Sequence, residues 1–371
     1  MKKILLVFIA IALIVAFSIP SAAGDAEWNF YGSARVATFW FDNSKERAVG
    51  TGLFERDAAH TPPSDDKDLQ WALQSNARIG ATVANGDVGG AFEYGTGVNV
   101  RKLYGTWNFG AGTLLVGQTY TPFNIFNSNQ VIDADADLLA WGAIYEGRKP
   151  LIQVSFGNFK LALIQPSTSL GTVGGVAVTP GGFTGLAGAE ADTTLPKIEV
   201  AYSFKTDMFE AGVVGGYNEF EIETDTKDYD IDSWAAGIWA GVNLGPVFIN
   251  ANVYQALNGG NFGISGEGDD LASFVSNKVK DVDTLGYAGV VGFKANDSLT
   301  FEGGYGKVSH DSDVAGEKDD DTTTYYVQAV VTLAPGVMII PEYGKIDYEK
   351  NNANAKEGDT VYYGAKWQIN F

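Results

Sequence analysis

The chain contains no cysteine. That single absence removes disulfide staples, thiolate metal ligands, a cysteine nucleophile and lipidation of an N-terminal cysteine. Histidine is almost as scarce: His60 and His310 are the two instances, and both fall in stretches that read as loops. Imidazole-based acid–base or metal chemistry therefore has little to work with, and no enzymatic activity, cofactor or metal is expected. No apolar run of spanning length follows residue 17, which excludes membrane-crossing helices. Proline numbers 11 in 371 residues and never gathers into a spacer. No boundary is visible, although the length alone would suggest two domains. Basic residues are also short, 25 Lys and Arg against 45 Asp and Glu, for a net charge of −20. A surface of that sign repels nucleic acid, and no such partner is expected.

What is present begins with a leader. Met1, Lys2 and Lys3 give a positive start, residues 4–17 are unbroken apolar sequence, and Ser21, Ala22 and Ala23 offer small residues for cleavage. The pattern predicts a secretory signal peptide over 1–23, cut after Ala23 or after Ala26. Residues 24–371 then form one exported domain, and loss of Lys2 and Lys3 takes the charge from −20 to −22.

From residue 28 onward the apolar residues recur every second position. In WNFYGSARVATFW (28–40), Trp28, Phe30, Val36 and Trp40 alternate with Asn29, Ser33 and Arg35. LQWALQSNARIGATV (69–83), PKIEVAYSF (196–204) and VYYGAKWQINF (361–371) repeat the pattern. Such stretches are strands with two unlike faces. A soluble sandwich also alternates, so length and connections must decide. Many of these stretches run roughly 10–13 residues, longer than the ~5–6 of an ordinary strand and near the ~9–11 a tilted membrane strand needs.

The connections alternate short and long. Short turns fall at 85–87, 110–112, 157–158, 206–207, 245–246, 295–297 and 335–336. Long loops fall at 42–67, 120–149, 166–195, 220–231, 257–282, 309–322 and 347–359, with a shorter one at 95–99. Seven turns and eight loops predict sixteen antiparallel strands with both termini on the turn side, the arrangement of an outer-membrane β-barrel. Hydrocarbon demands that every backbone polar group find an internal partner, and only a closed sheet has no edge. The last strand, 361–371, is expected to close the ring against 28–40. Trp28, Tyr94, Trp107, Tyr202, Tyr217, Trp234, Tyr287 and Trp367 are the candidates for aromatic girdles.

At 101–123 the sequence reads RKLYGTWNFGAGTLLVGQTYTPF. This resembles a strand–turn–strand of Gram-negative general porins, matched by Arg101, Tyr104, Phe109, Gly110, Gly112, Thr113, Leu114, Gly117, Thr121 and Pro122. Gln118 departs from the resemblance, standing where the family carries a basic residue of the pore wall. The resemblance implies an all-β transmembrane barrel of 16 strands in the outer membrane, a homotrimer, and passive diffusion of small hydrophilic solutes and ions. It implies that the third long loop, 120–149, folds inward as the pore constriction with Asp133, Asp135, Asp137 and Glu146. It also implies that the terminal Phe371, with Ile369 and Trp367, is read by the barrel assembly machinery.

The alternation places Arg35, Arg78, Lys102, Lys160, Lys197, Glu93 and Glu199 on the inner face as pore wall, whereas Gln118 shares a phase with Leu114 and Val116 and is ambiguous. An acidic loop opposite a basic wall sets up a transverse field. The plain reading of any one of these charges is a solvated lumen side chain. The basic residue missing at Gln118, with the net charge, points to cation preference. Asp133-x-Asp135-x-Asp137 opens like a calcium loop, but Leu138 and Ile144 stand where Gly and Glu belong. Acidic loops at 223–232 and 310–321 are solvated tips or bridges to lipopolysaccharide through divalent cations. Two alternatives stay open: a channel selective for a sugar, organic acid or oxyanion, and a secreted or surface β-rich adhesin.

Overall fold

The computed structural model describes residues 26–47, 66–168, 190–224, 227–264, 266–268, 270–275 and 278–371, with two short segments at 172–173 and 176–177. The expected leader at 1–23 lies outside them. The fold is a closed antiparallel barrel of sixteen strands. Strand β1 is Glu27–Asn43. Strand β2 is built in two pieces, Asp66–Leu73 and Arg78–Asn85, both paired to β1. A short-stranded wall follows: β3 Val88–Gly95, β4 Val100–Asn108, β5 Thr113–Tyr120, β6 Arg148–Phe156, β7 Phe159–Ile164 and β8 Lys197–Lys205. Then come β9 Phe209–Glu223, β10 Tyr229–Leu244, β11 Val247–Leu257, β12 Val282–Asn296 and β13 Leu299–Ser312. The last three are β14 Asp320–Ala334, β15 Val337–Asp347 and β16 Asp359–Asn370.

Closure is made by β1 against β16, in register from Ser33–Asn370 to Asn43–Thr360. The last residue takes part: Phe371 N–H donates to the Gly32 carbonyl and Gly32 N–H to the Phe371 carbonyl, at 3.0 and 2.7 Å. A Cβ on residue 32 would stand 2.6 Å from the Phe371 ring, so glycine is what lets that ring lie across β1. The C-terminus does not fray because it is the seam.

Burial in the wall is inverted relative to a soluble protein. Trp71 and Ile238 are 73% and 56% exposed, as are many large apolar side chains on the outward phase. Glu199, Glu302, Glu342 and Lys366 are buried on the inward phase. A water-facing exterior would leave that apolar belt as a huge exposed patch, whereas acyl chains make it the favourable face. Among the described residues no helix is long and apolar enough to cross a membrane; strands do the crossing.

One departure from simple alternation matters for the lumen. The expected unbroken strand at 69–83 is interrupted at 74–77. There Gln74 N–H still bonds to the Arg35 carbonyl, while its buried side chain turns inward to donate to the Val131 and Asp133 carbonyls, at 2.9 and 2.7 Å. The break gives up ladder bonds and holds the loop instead.

Candidate functional site

The residues between β5 and β6 turn into the barrel and pack on its inner wall. Ile132, Leu138 and Trp141 are buried in one cluster with Phe39, Tyr326 and Tyr362 of the wall. Wall carboxylates receive the loop's backbone: Val131 and Ile132 N–H donate to Glu342, at 2.7 and 3.1 Å, and Asn129 donates to Glu302 from its backbone and its side chain, at 2.9 and 2.7 Å. Gln130 donates to Tyr362 Oη at 2.8 Å, and Asn252 to the Gly142 carbonyl at 2.7 Å. A buried loop needs such partners, because its peptide groups have lost water and have no sheet of their own.

The Asp-x-Asp-x-Asp run has a backbone reason. Asp133, Asp135 and Asp137 adopt φ of 57, 62 and 50°. Aspartate is among the few side chains that tolerate positive φ, and the alternation turns the acids toward the lumen. Asp135 is the best paired: it contacts Arg35, takes Lys366 Nζ at 2.8 Å and accepts from Asn76 at 2.8 Å. Burial pushes the Asp137 carboxyl well above the usual carboxylate range, with the Asp135 charge adding and Lys366 opposing. Burial also raises Asp133, against a hydrogen bond from the Ala134 backbone.

Glu146, Lys197 and Glu199 come together elsewhere. Lys197 Nζ lies 2.8 Å from Glu146 and 3.0 Å from Glu199, and all three side chains are at most 1% exposed. The ammonium also donates to the Phe262 carbonyl at 2.6 Å; Glu199 accepts from Phe123 N–H at 2.9 Å, and Glu146 from the Thr121 hydroxyl at 2.8 Å. Burial opposes ionisation of Glu146, but its contacts with Glu199 and Lys197 hold its carboxyl below the ordinary range. The triad sits behind the loop's stem and lines no open space; it ties the stem to β8.

Across the lumen, Glu93 is buried against Arg101 Nε at 2.8 Å, with Arg78 at 3.8 Å and the Tyr31 hydroxyl at 3.0 Å. Arg101 is inward because of a bulge: Glu93 pairs with Lys102 and Tyr94 with Val100, which skips residue 101. Strict alternation therefore missed it. Arg148 opens β6 but falls inside the loop span 120–149 read from the sequence, so alternation assigns it no face. Gln118 pairs with Leu103 and Pro150, off the lumen, and its amide donates to the Val100 carbonyl at 2.7 Å. Lys160 is exposed beside the Gly157–Asn158 turn. Phe371, Ile369 and Trp367 form an exposed stripe on the outer face at the seam.

These elements enclose a cavity of about 930 Å³. Five cations line it, Arg35, Arg78, Arg101, Arg148 and Lys366, and four carboxylates, Asp133, Asp135, Asp137 and Glu302. Arg35 and Lys366 hold Asp135 directly, while among the described residues Arg78, Arg101 and Arg148 line the same space without touching a loop acid. A family model described as Gram-negative porin matches residues 10–354. The chain belongs to this porin family.

As a porin it is an outer-membrane channel with a β-barrel wall. Its fold resembles the outer membrane channel DcaP of Acinetobacter baumannii, at TM-score 0.72 and 15% identity over 95% of this chain and 100% of that one. It resembles Salmonella typhi OmpF, solved with daunomycin, at 0.58 and 12% over 92% and 97%. It also resembles an anion-selective porin from Comamonas acidovorans, at 0.55 and 12% over 94% and 100%. No curated protein matches the chain by sequence. The apolar belt and the family together set aside the soluble adhesin.

Proposed function

We propose that this porin carries small hydrophilic solutes and ions passively down their gradients, with loop 120–149 narrowing the pore and no covalent chemistry. The observation that carries the reading is the cavity lining: cations from β1, β2, β4, β6 and β16 share one space with carboxylates from the loop and β13, and among the described residues only those of β1 and β16 are paired with a loop acid. Charges separated across a narrow aqueous bore orient dipolar solutes and disfavour apolar ones. Five cations against four carboxylates leave the bore near balance, and Gln118 lies off it, so the net charge of −20 does not set its selectivity. The cation preference read from Gln118 thus loses its local basis, and weak ion selectivity is the expectation.

The same reading includes a homotrimer. Strands β3–β8 run six to nine residues, against 14–16 in β9, β10, β12, β13 and β14. Eight residues at ~3.3 Å, tilted by ~40°, rise only about 20 Å, short of the ~25 Å apolar band. Copies of the chain covering that low side would spare it contact with lipid. Lipopolysaccharide around the rim and assembly through the terminal Phe371 complete the proposal. Planar-bilayer recordings test it: stepwise ohmic conductance with a small zero-current potential in a KCl gradient is expected. A protein that adds no conductance, or one that is ideally selective for one ion, would overturn it.

A further inference from the structure

The loop's stem displays something a water channel does not need. Phe126 is 47% exposed and lines the cavity. It packs edge-on to Tyr120 at 5.0 Å and to Tyr145 at 5.9 Å, and those two rings lie 6.4 Å apart. The cluster is rigid: Asn124 bridges to Tyr145, and its side chain bonds to Thr121 and Gly147 on the two arms of the stem. Apolar surface held fixed in water costs free energy unless something covers it.

Cations surround the same rings. Arg148 Cζ stands 4.9 Å from the Tyr120 centroid and donates to its hydroxyl at 2.6 Å, and Lys102 Nζ is 5.7 Å from that centroid. Among the described residues neither Arg148 nor Lys102 makes an ion pair, whereas Arg78 and Arg101 share the single carboxylate of Glu93. Here, then, lies an excess of positive charge next to a fixed, half-open aromatic face. A guanidinium takes a carboxylate through two parallel hydrogen bonds, and an exposed ring takes another ring edge-on. On the other side of the bore, Arg35 and Lys366 are already paired with Asp135.

We infer that this side of the lumen is a binding site for aromatic carboxylates, with Arg148 receiving the carboxylate and Phe126, flanked by Tyr120 and Tyr145, receiving the ring. The site makes the pore a facilitated path for aryl acids within an otherwise general channel. This rests on the reading of the lumen as a diffusion pathway.

The test is a titration of benzoate, acetate and benzylammonium into purified porin in planar bilayers bathed in KCl, scored by the half-blocking concentration. Benzoate is expected to block at a concentration about tenfold lower than either of the others, the ratio that one well-placed aromatic contact supplies. Phe126→Ala and Phe126→Leu should bring the benzoate-to-acetate ratio close to unity, while Phe126→Tyr keeps it. Arg148→Gln should remove the preference for benzoate over benzylammonium. Because each readout is a ratio within one variant, changes in protein yield do not affect it. Equal block by acetate, equal block by benzylammonium, or an undiminished ratio in Phe126→Leu would overturn the site while leaving the channel standing. Absence of KCl conductance would overturn the channel reading itself.

Discussion

Replacing Lys197 with methionine should destabilise the barrel far more than neutralising either of its carboxylate neighbours. The side chain is wholly buried, sandwiched between Glu146 and Glu199 and lying 3.4 Å from the Phe262 ring centroid. Methionine keeps the unbranched stem and its packing, so the change removes the ammonium and little else. Two carboxylates then remain without a counter-ion, and the Phe262 carbonyl loses its donor. Removing one partner of a buried pair costs about 3–5 kcal/mol. The orphaned carbonyl places Lys197→Met near the upper end of that range. Glu199→Gln behaves oppositely. Two acids and one base carry an excess negative charge when all are ionised; the amide removes it and still accepts from Phe123 N–H. Its cost should stay within about 1 kcal/mol.

The assay is the denaturant midpoint of detergent-solubilised barrel, read by the mobility difference between folded and heated protein. Single-channel recordings should also show added current noise in Lys197→Met, since the triad ties the loop's stem to β8. A Lys197→Met midpoint equal to wild type, or a Glu199→Gln protein less stable than Lys197→Met, would refute the reasoning.

Three further outcomes are expected. Gly142 sits at φ 92°, where a Cβ would overlap the carbonyl oxygens of Tyr287 and Lys307 on the wall, so Gly142→Val should push the loop toward the pore axis and lower single-channel conductance; an unchanged conductance would show the segment is not seated there. Asp137 carries a carboxyl raised by burial, so it gains its proton at higher pH than ordinary acids; acidification should shift ion selectivity toward anions, and Asp137→Asn should flatten that shift, as zero-current potentials across a pH series will report. Deleting Phe371 removes both of its seam hydrogen bonds with Gly32 and the outer ring; outer-membrane yield, measured by fractionation, should fall sharply, and normal yield would count against Phe371 as an assembly signal.

The barrel was legible because a period of two is a statement about faces, and a membrane barrel has two unlike faces along its whole length. Turn chemistry and loop length then gave the strand count. The lumen was legible only where alternation held. Arg35 and Lys366 follow it and meet on Asp135. Arg101 breaks it at a bulge, and Arg148 begins a strand that the sequence reading starts only after residue 149. Lys197 and Glu199 do face inward, yet period says nothing about what covers a face, and here the loop's stem seals them off. The Asp-x-Asp-x-Asp run looked like a metal loop because positive-φ positions and carboxylate ligands draw on the same residue type.

The loop's attachments decide what kind of channel this is. Glu302 and Glu342 accept the loop's backbone on one side, Asn252 and Gln328 donate to its carbonyls at 2.7 and 2.8 Å on another, and the Lys197 triad grips its stem. Freeing any arm would strand buried carboxylates or peptide groups, each costing about 1–3 kcal/mol or more. Several such costs add up across one segment, so opening by loop movement is negligibly populated. The bore is therefore a fixed aperture. Discrimination among solutes must come from static features on its surface: the ion cluster of Arg35 and Lys366 on Asp135, the charges of Arg78, Arg101 and Arg148, and the aromatic face beside Arg148. A fixed aperture also predicts that voltage and solute modulate current by occupying the lumen, not by reshaping it.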